Sequence, residues 1–243
     1  MKPYVRVLLF GFLFGAINAF GAPQAEQNIE RLRDDFNRLW NKAEILAAVE
    51  SKNKNQAWLL DVDAQLISPF LNYWVFSDLL DSLLEEFSKD LSERARSDLI
   101  ATLHSTFARY VIEVLFEYRI NSGTISDVVI KNNNETLVLQ AKIKGPLGLP
   151  VSLEFNSVAQ GDSVLITDMV VGGIAYSDWK RRYYKSYAKK SDVSGLIRAL
   201  RTKNSEFFVR FCEVSVEEND VGTEFVSQFP AYIQQSCALE NGI

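Results

Sequence analysis

The chain of 243 residues contains one histidine, two cysteines and two methionines. With a single imidazole, every Ser-His-Asp or Cys-His arrangement would depend on His104. That residue sits beside an apolar stripe, where packing is expected of it rather than catalysis. Zinc takes three or four His, Cys or carboxylate ligands, and one histidine with two late cysteines is a poor set. No G-x-x-x-x-G-K-[ST], G-x-G-x-x-G or G-x-S-x-G motif occurs, so phosphate cradles and a nucleophile elbow are missing as well. The acidic pairs Glu85-Glu86 and Glu217-Glu218 are adjacent in sequence, an arrangement for solvated charge rather than for a facing acid and base. The sequence assigns no catalytic residue, no metal site and no cofactor, and it does not argue for an enzyme; none is expected.

Positive charge is also short. Lysine and arginine number 26 against 31 acids, the net charge is -5, and no dense basic stretch offsets repulsion from phosphate, so nucleic acid is excluded as an expected partner. Repeats, low-complexity tracts and long linkers are absent. What remains is ordinary globular composition, 47% hydrophobic and 23% charged, enough for one sizeable core or two small ones.

The first residues carry a clear signal. Lys2 and Arg6 form a short basic start, an uncharged run from Val7 to Ile17 follows, and small residues come at Ala19, Gly21 and Ala22. This is the layout of a cleaved secretory signal peptide over 1–22, with the run too short for a comfortable membrane span. An uncleaved N-terminal anchor is the alternative. Loss of Lys2 and Arg6, with no acid in the same stretch, takes the charge from -5 to -7. Export also bears on Cys212 and Cys237, which a disulfide-permitting compartment allows to pair. Such a bridge closes a loop of about 25 residues and stabilises by about 3 kcal/mol in the loop-entropy model. Two buried free thiols are the alternative.

Hydrophobic spacing then orders the elements. Ile29, Leu32, Phe36, Leu39 and Trp40 predict a helix over 25–50, with Lys42 on its polar side, and shorter helical pieces follow at 60–74 and 77–90, interrupted near Pro69. Ser92 is a candidate N-cap for a long helix to about 119, whose stripe runs Leu99, Leu103, Phe107, Tyr110, Val111, Val114, Leu115 and Tyr118. The period then changes to two. Strands are expected at Ile125 to Lys131, Thr136 to Lys144, Pro150 to Val158 and Ser163 to Val171, separated by short turns. Short turns between consecutive strands make an antiparallel meander. Helices return at 175–190 and 192–203, the second capped by Asp192, with a short strand near Phe207 to Val214. The expected class is α+β: a four-stranded antiparallel meander covered on one face by helices.

One segment, Trp179-Lys180-Arg181-Arg182-Tyr183-Tyr184-Lys185-Ser186-Tyr187-Ala188-Lys189-Lys190, alternates aromatic and basic residues. In an acidic protein this local positive patch suits phosphate headgroups, an anionic membrane surface or an acidic partner; a solvated helix with its tyrosines packed inward is the alternative.

From about residue 60 to 203 the order of elements resembles the MlaC (toluene-tolerance) family of phospholipid-binding proteins. Leu71-Asn72-Tyr73-Trp74 loosely matches the Leu-Gly-x-Tyr-Trp motif, with Asn where Gly is usual. Ser92 to Tyr118 is similar to the family's next helix, and Gly148-Leu149-Pro150-Val151-Ser152-Leu153-Glu154-Phe155 matches Gly-x-Pro-Val-x-Leu-x-Phe. Asp168 to Tyr176 resembles the fourth strand and its exit into a helix, with Ala175 where Ser is common. Gly195-Leu196-Ile197-Arg198-Ala199-Leu200 resembles the closing Gly-Leu-Ile-x-x-Leu element.

The resemblance implies a periplasmic, non-enzymatic carrier of a Gram-negative bacterium, organised as a lipid-binding domain over 23–204 and a C-terminal extension over 205–243. A monomer is expected to ferry glycerophospholipid between an inner-membrane MCE-type ABC transporter complex and an outer-membrane lipoprotein/porin complex, maintaining outer-membrane lipid asymmetry. Phospholipid is then cargo, not cofactor, held in an apolar pocket between sheet and helices. The facing sides give the lining expected of that pocket: Leu103, Phe107, Val111 and Leu115 from the long helix, Leu137, Leu139, Leu153 and Phe155 from the sheet, and Ile174 and Tyr183 beyond it. The alternative is a protein-interaction module of the same fold with a filled core and no ligand.

Overall fold

The computed structural model describes residues 22–117, 121–131, 136–144, 150–160, 163–211 and 230–234, with side chains at 30, 31, 33–50, 52–115, 152–158, 164–189, 192–211 and 230–234. Cys212 and Cys237 lie outside the described residues, as does the signal segment up to residue 21.

Seven helices are labelled in chain order: α1 (Ala22–Ala47), α2 (Gln56–Val62), α3 (Ser68–Leu71), α4 (Phe76–Leu84), α5 (Glu86–Lys89), α6 (Glu93–Glu117) and α7 (Tyr176–Phe208). Between α6 and α7 run β1 (Asn121–Lys131), β2 (Thr136–Lys144), β3 (Pro150–Gln160), β4 (Ser163–Val171) and the two-residue β5 (Ile174–Ala175). The sheet is an antiparallel meander in the order β1-β2-β3-β4-β5. The chain is thus α+β, with a fifth short strand added to the four expected. Gly172 and Gly173 make that addition possible: both adopt positive φ, 58° and 86°, and turn the chain back so that Ile174 pairs with Val171.

Local chemistry sets the helix ends. The Ser92 hydroxyl accepts from the Ala95 N–H at 3.2 Å, the cap expected for α6. Asn55, immediately before α2, caps that helix by accepting from the Trp58 N–H at 3.2 Å. At the other end of α6 the buried Lys54 ammonium donates to the Leu115 carbonyl at 2.6 Å, satisfying an acceptor the helix leaves open. Burial holds the Lys54 pKa below its ordinary value.

The helical run 56–71 contains a π turn over Asp63–Ile67, where the Ser68 N–H reaches back five residues to the Asp63 carbonyl. Proline has no N–H, and its ring would collide with the carbonyl four residues before it. Pro69 therefore imposes a widened turn just before itself, at the interruption the sequence indicates.

Helices and sheet are joined by backbone. Tyr73 and Val75, on either side of Trp74, exchange bonds with Ile166 of β4: the Val75 N–H donates at 2.8 Å and the Ile166 N–H at 2.6 Å. On β3 and β4 the residues Phe155, Ser157, Val164 and Ile166 are buried, while Ser152, Glu154, Asn156 and Leu165 are exposed or half-buried. One face of these strands therefore meets the helices.

The two late helices of the sequence reading are one helix with a break. Asp192 takes φ 62° and ψ 166°, and its carboxylate accepts from the Val193 N–H at 2.5 Å. The strand expected near Phe207 does not form in its described part. Phe207 and Phe208 end α7, and Val209–Phe211 is a 3-10 turn. These apolar residues bury Phe207, Phe208 and Phe211 in the core at helical spacing.

Candidate functional site

A half-open cavity of about 420 Å³ lies between α1 and the Pro69 bend. α1 contributes Asp35, Arg38, Leu39 and Lys42, which recur at helical spacing on one face. Gln65, Pro69, Asn72 and Tyr73 form the opposite wall. The π turn sets Gln65 and Pro69 on that wall, and the bridge to β4 fixes the backbone of Tyr73.

The rim is polar and cationic. Arg38 pairs with Asp35, the Tyr73 hydroxyl donates to the same carboxylate at 2.7 Å, and the Lys42 ammonium donates to the Gln65 side-chain carbonyl at 3.1 Å. Burial raises the Tyr73 pKa against the opposing pull of Arg31 and Arg38, so the phenol keeps its proton. Behind Tyr73 the site turns aromatic. Phe36 stands 5.4 Å from Tyr73, 6.1 Å from Phe70 and 5.4 Å from Phe155, and Phe70 is 5.9 Å from Phe155. Phe155 carries this layer to the sheet.

The residues expected to line a pocket fall into two packed groups. Phe107 lies among Trp74 at 4.6 Å, Tyr176 at 5.0 Å, Phe76 at 5.4 Å and Tyr110 at 6.1 Å, with 2% of its surface exposed. Leu103 and Leu115 are buried in the same core and Val111 is half-buried against it. Phe155 belongs to the group with Phe36 and Phe70, and Leu153, beside it on β3, is half-buried. Trp74, 6.0 Å from Phe70, touches both groups. Tyr183 is half-buried against Tyr187 at 4.9 Å. Ile174 stands apart, 61% exposed at the start of β5. Leu139 pairs in register with Phe155 and Leu137 with Ser157; the side chains of Leu137 and Leu139 lie outside the described residues.

Sequence reasoning missed the cavity rim. Lys42 read as a residue of the solvated side of α1, and Arg38 and Gln65 carried no pattern of their own. The available signal was Pro69 inside a helical run, followed by Tyr73 in a family motif.

The aromatic and basic segment divides between its alternatives. Tyr184 is buried, its hydroxyl 3.3 Å from that of Tyr176, and Tyr183 and Tyr187 pack inward. Burial pushes Tyr183 up to about 12 and raises Tyr176 and Tyr184, so all three remain protonated phenols. Arg181 bonds Glu85 at 3.1 Å and Asp178 at 3.0 Å, and Lys185 pairs with Glu85 and Glu86. These contacts fasten α7 to the α4–α5 corner, where Glu85 takes φ 51°. Lys185 is the main cause of the lowered Glu85 pKa.

His104 lies near the Phe76 ring at 5.5 Å and the Tyr232 ring at 6.0 Å, a packing position. Among the described residues no group of three or more His, Cys, Asp or Glu could hold a metal ion, and no helix is long and apolar enough to cross a membrane.

Residues 41–202 match the family model described as MlaC protein. No curated protein matches the chain. Among solved structures it is similar to the phospholipid-binding protein from Ralstonia solanacearum in complex with a phospholipid, with a TM-score of 0.58 and 13% identity over 72% of this chain and 97% of that one. At that identity the likeness is one of fold.

Proposed function

The chain belongs to the MlaC family, and from that premise we propose that it binds glycerophospholipid and carries it through the periplasm. The inner-membrane MCE-type ABC transporter complex and the outer-membrane lipoprotein/porin complex are its exchange partners, and outer-membrane lipid asymmetry is the result. The chain binds rather than catalyses, takes lipid as cargo without a cofactor, and is exported by a signal peptide over residues 1–22 that is then cleaved.

The observation that carries this reading is the juxtaposition at α1. Arg38 and Lys42 flank a cavity of about 420 Å³ lined also by Leu39, Pro69 and Tyr73, and the Phe36–Phe70–Phe155 rings pack behind Tyr73. A phosphodiester suits the cationic rim, and an acyl chain suits the apolar interior. Each methylene removed from water contributes about 0.8 kcal/mol, on the order of 12 kcal/mol for a chain of about fifteen methylenes. A bilayer offers the same burial, so a carrier needs only to match it for loading and release to be reversible.

The filled-core alternative draws support from Phe107, Leu103 and Leu115, which are already packed on all sides. Organic extraction of the purified protein followed by mass spectrometry separates the two. Glycerophospholipid in roughly molar amount is expected. A lipid-free protein that also takes up no phospholipid from vesicles leaves the interaction module standing instead.

A further inference from the structure

Three large apolar side chains are exposed within nine residues of each other: Val171 at 42%, Ile174 at 61% and Trp179 at 68%. They occupy the end of β4, the start of β5 and the first turn of α7. Val171 and Ile174 are register partners across the Gly172-Gly173 turn. A Cβ placed on either glycine meets no atom within 4 Å, so the turn stands clear of the rest of the described molecule.

Among the described residues in the first turns of α7, the charges without an ion pair are positive. Lys180 holds its ammonium 3.9 Å over the Trp179 ring, and Arg182 is exposed with no ion pair among the described residues. The neighbouring acids in the chain are engaged: Asp168 accepts from the Ser177 hydroxyl at 2.5 Å, and Asp178 pairs with Arg181 at 3.0 Å. The chain as a whole has a net charge of -5, so an anionic surface is met most favourably by a local cationic patch of this kind.

We infer that the β4–β5 turn and the first turns of α7 form a docking tip for an anionic bilayer surface, with Trp179 and Ile174 entering the interface and Lys180 and Arg182 meeting lipid phosphates. Tryptophan suits the headgroup level because its ring is apolar and its N–H is polar. The tip is a narrow turn rather than the broad, flat patch a stable protein interface needs, which favours a lipid surface over a protein one. The contact is weak and reversible, because it has one inserting aromatic and two cations and no acyl anchor.

The test uses the full chain and vesicles of phosphatidylethanolamine with phosphatidylglycerol, with phosphatidylcholine vesicles for comparison. Trp179 is the exposed tryptophan of four, since Trp58 and Trp74 are buried and Trp40 half-buried. Lipids brominated on the acyl chain should quench part of the emission of the parent protein and leave that of Trp179→Phe unchanged. Arg182→Glu should weaken partition about fivefold or more, and raised salt should do the same. Ile174→Asp supplies an independent variant on the sheet side of the tip. Equal quenching in parent and Trp179→Phe overturns the inference, as does binding through the N-terminal apolar run that ignores all three substitutions. A tip made for a protein partner leaves both kinds of vesicle untouched, and that outcome overturns it too.

Discussion

The hydroxyl of Tyr232 donates to a carboxylate oxygen of Asp63 at 2.6 Å, joining two residues 169 positions apart. The described part of the late chain, 230–234, is therefore docked on the domain: Tyr232 and Ile233 are buried, and Tyr232 packs against Phe208 at 5.6 Å and His104 at 6.0 Å. Burial, with the Asp63 charge beside it, drives the Tyr232 pKa far upward, so the phenol keeps its proton and is the donor in this bond. Asp63 also accepts from the Ser68 hydroxyl at 3.1 Å, which ties the docked segment to the π turn.

Tyr232→Phe keeps the ring contacts and removes this one donor. The Asp63 carboxylate is left short of a partner in a part-buried position, and a loss of about 1–3 kcal/mol is expected. Chemical denaturation checks it. A midpoint equal to that of the parent shows that the bond contributes nothing net.

His104 makes stability depend on pH. Burial holds its pKa below the ordinary 6.5, with Asp63 pulling the other way. The unfolded chain therefore binds a proton at higher pH than the folded one. The histidine's contribution is fully present above about 6.5 and is lost as pH falls from there toward the lowered folded value. His104→Gln should flatten that part of the stability profile and leave the slope above it unchanged. Thermal midpoints across the range measure both slopes.

Phe107 sits among four aromatic rings. Phe107→Ala removes a filled volume from a place where Trp74, Phe76 and Tyr176 cannot all collapse inward. A cost of about 3–5 kcal/mol is expected, readable as a lower denaturant midpoint. Co-purified lipid should stay per folded molecule, because the cavity at α1 is built from other residues. Loss of lipid at full stability would instead move the acyl chain to Phe107.

The outline of this fold was open to inspection in the sequence wherever one local cause acts. Ser92 caps α6, Asp192 marks the break in α7, and the four long strands follow the period-two stretches, because each depends on neighbours in the chain. The rest depends on tertiary context. Phe207, Phe208 and Phe211 suit a strand by residue type, yet the helix feeding them continues and buries them. Ile174, expected from its facing side in the lining of the pocket, stands 61% exposed beyond the Gly172-Gly173 turn, a placement that no spacing rule gives. Arg38 and Lys42 gain meaning only from the wall opposite, which the Pro69 bend brings up to α1. Leu103, Phe107 and Leu115 were legible as buried, and no spacing rule separates the lining of a pocket from a closed core.

The rim offers a sharper discrimination than the core does. If Arg38 and Lys42 hold the phosphate, Arg38→Glu with Lys42→Glu puts negative charge where the phosphodiester must sit, and co-purified phospholipid should fall about tenfold or more. Both residues are exposed at the cavity rim, the Arg38 side chain to 76%, so folding should be little changed. Arg94→Glu, at an exposed cation at the start of α6, serves as the comparison for a charge reversal away from the rim and should retain its lipid. Equal loss in the Arg94 variant means that overall charge governs loading. Full retention in the double variant means that the headgroup lies elsewhere, with the cavity at α1 reduced to a surface cleft. The two losses separate only if the rim touches the ligand, which long-range repulsion cannot imitate once salt shortens its reach to about 8 Å at physiological ionic strength.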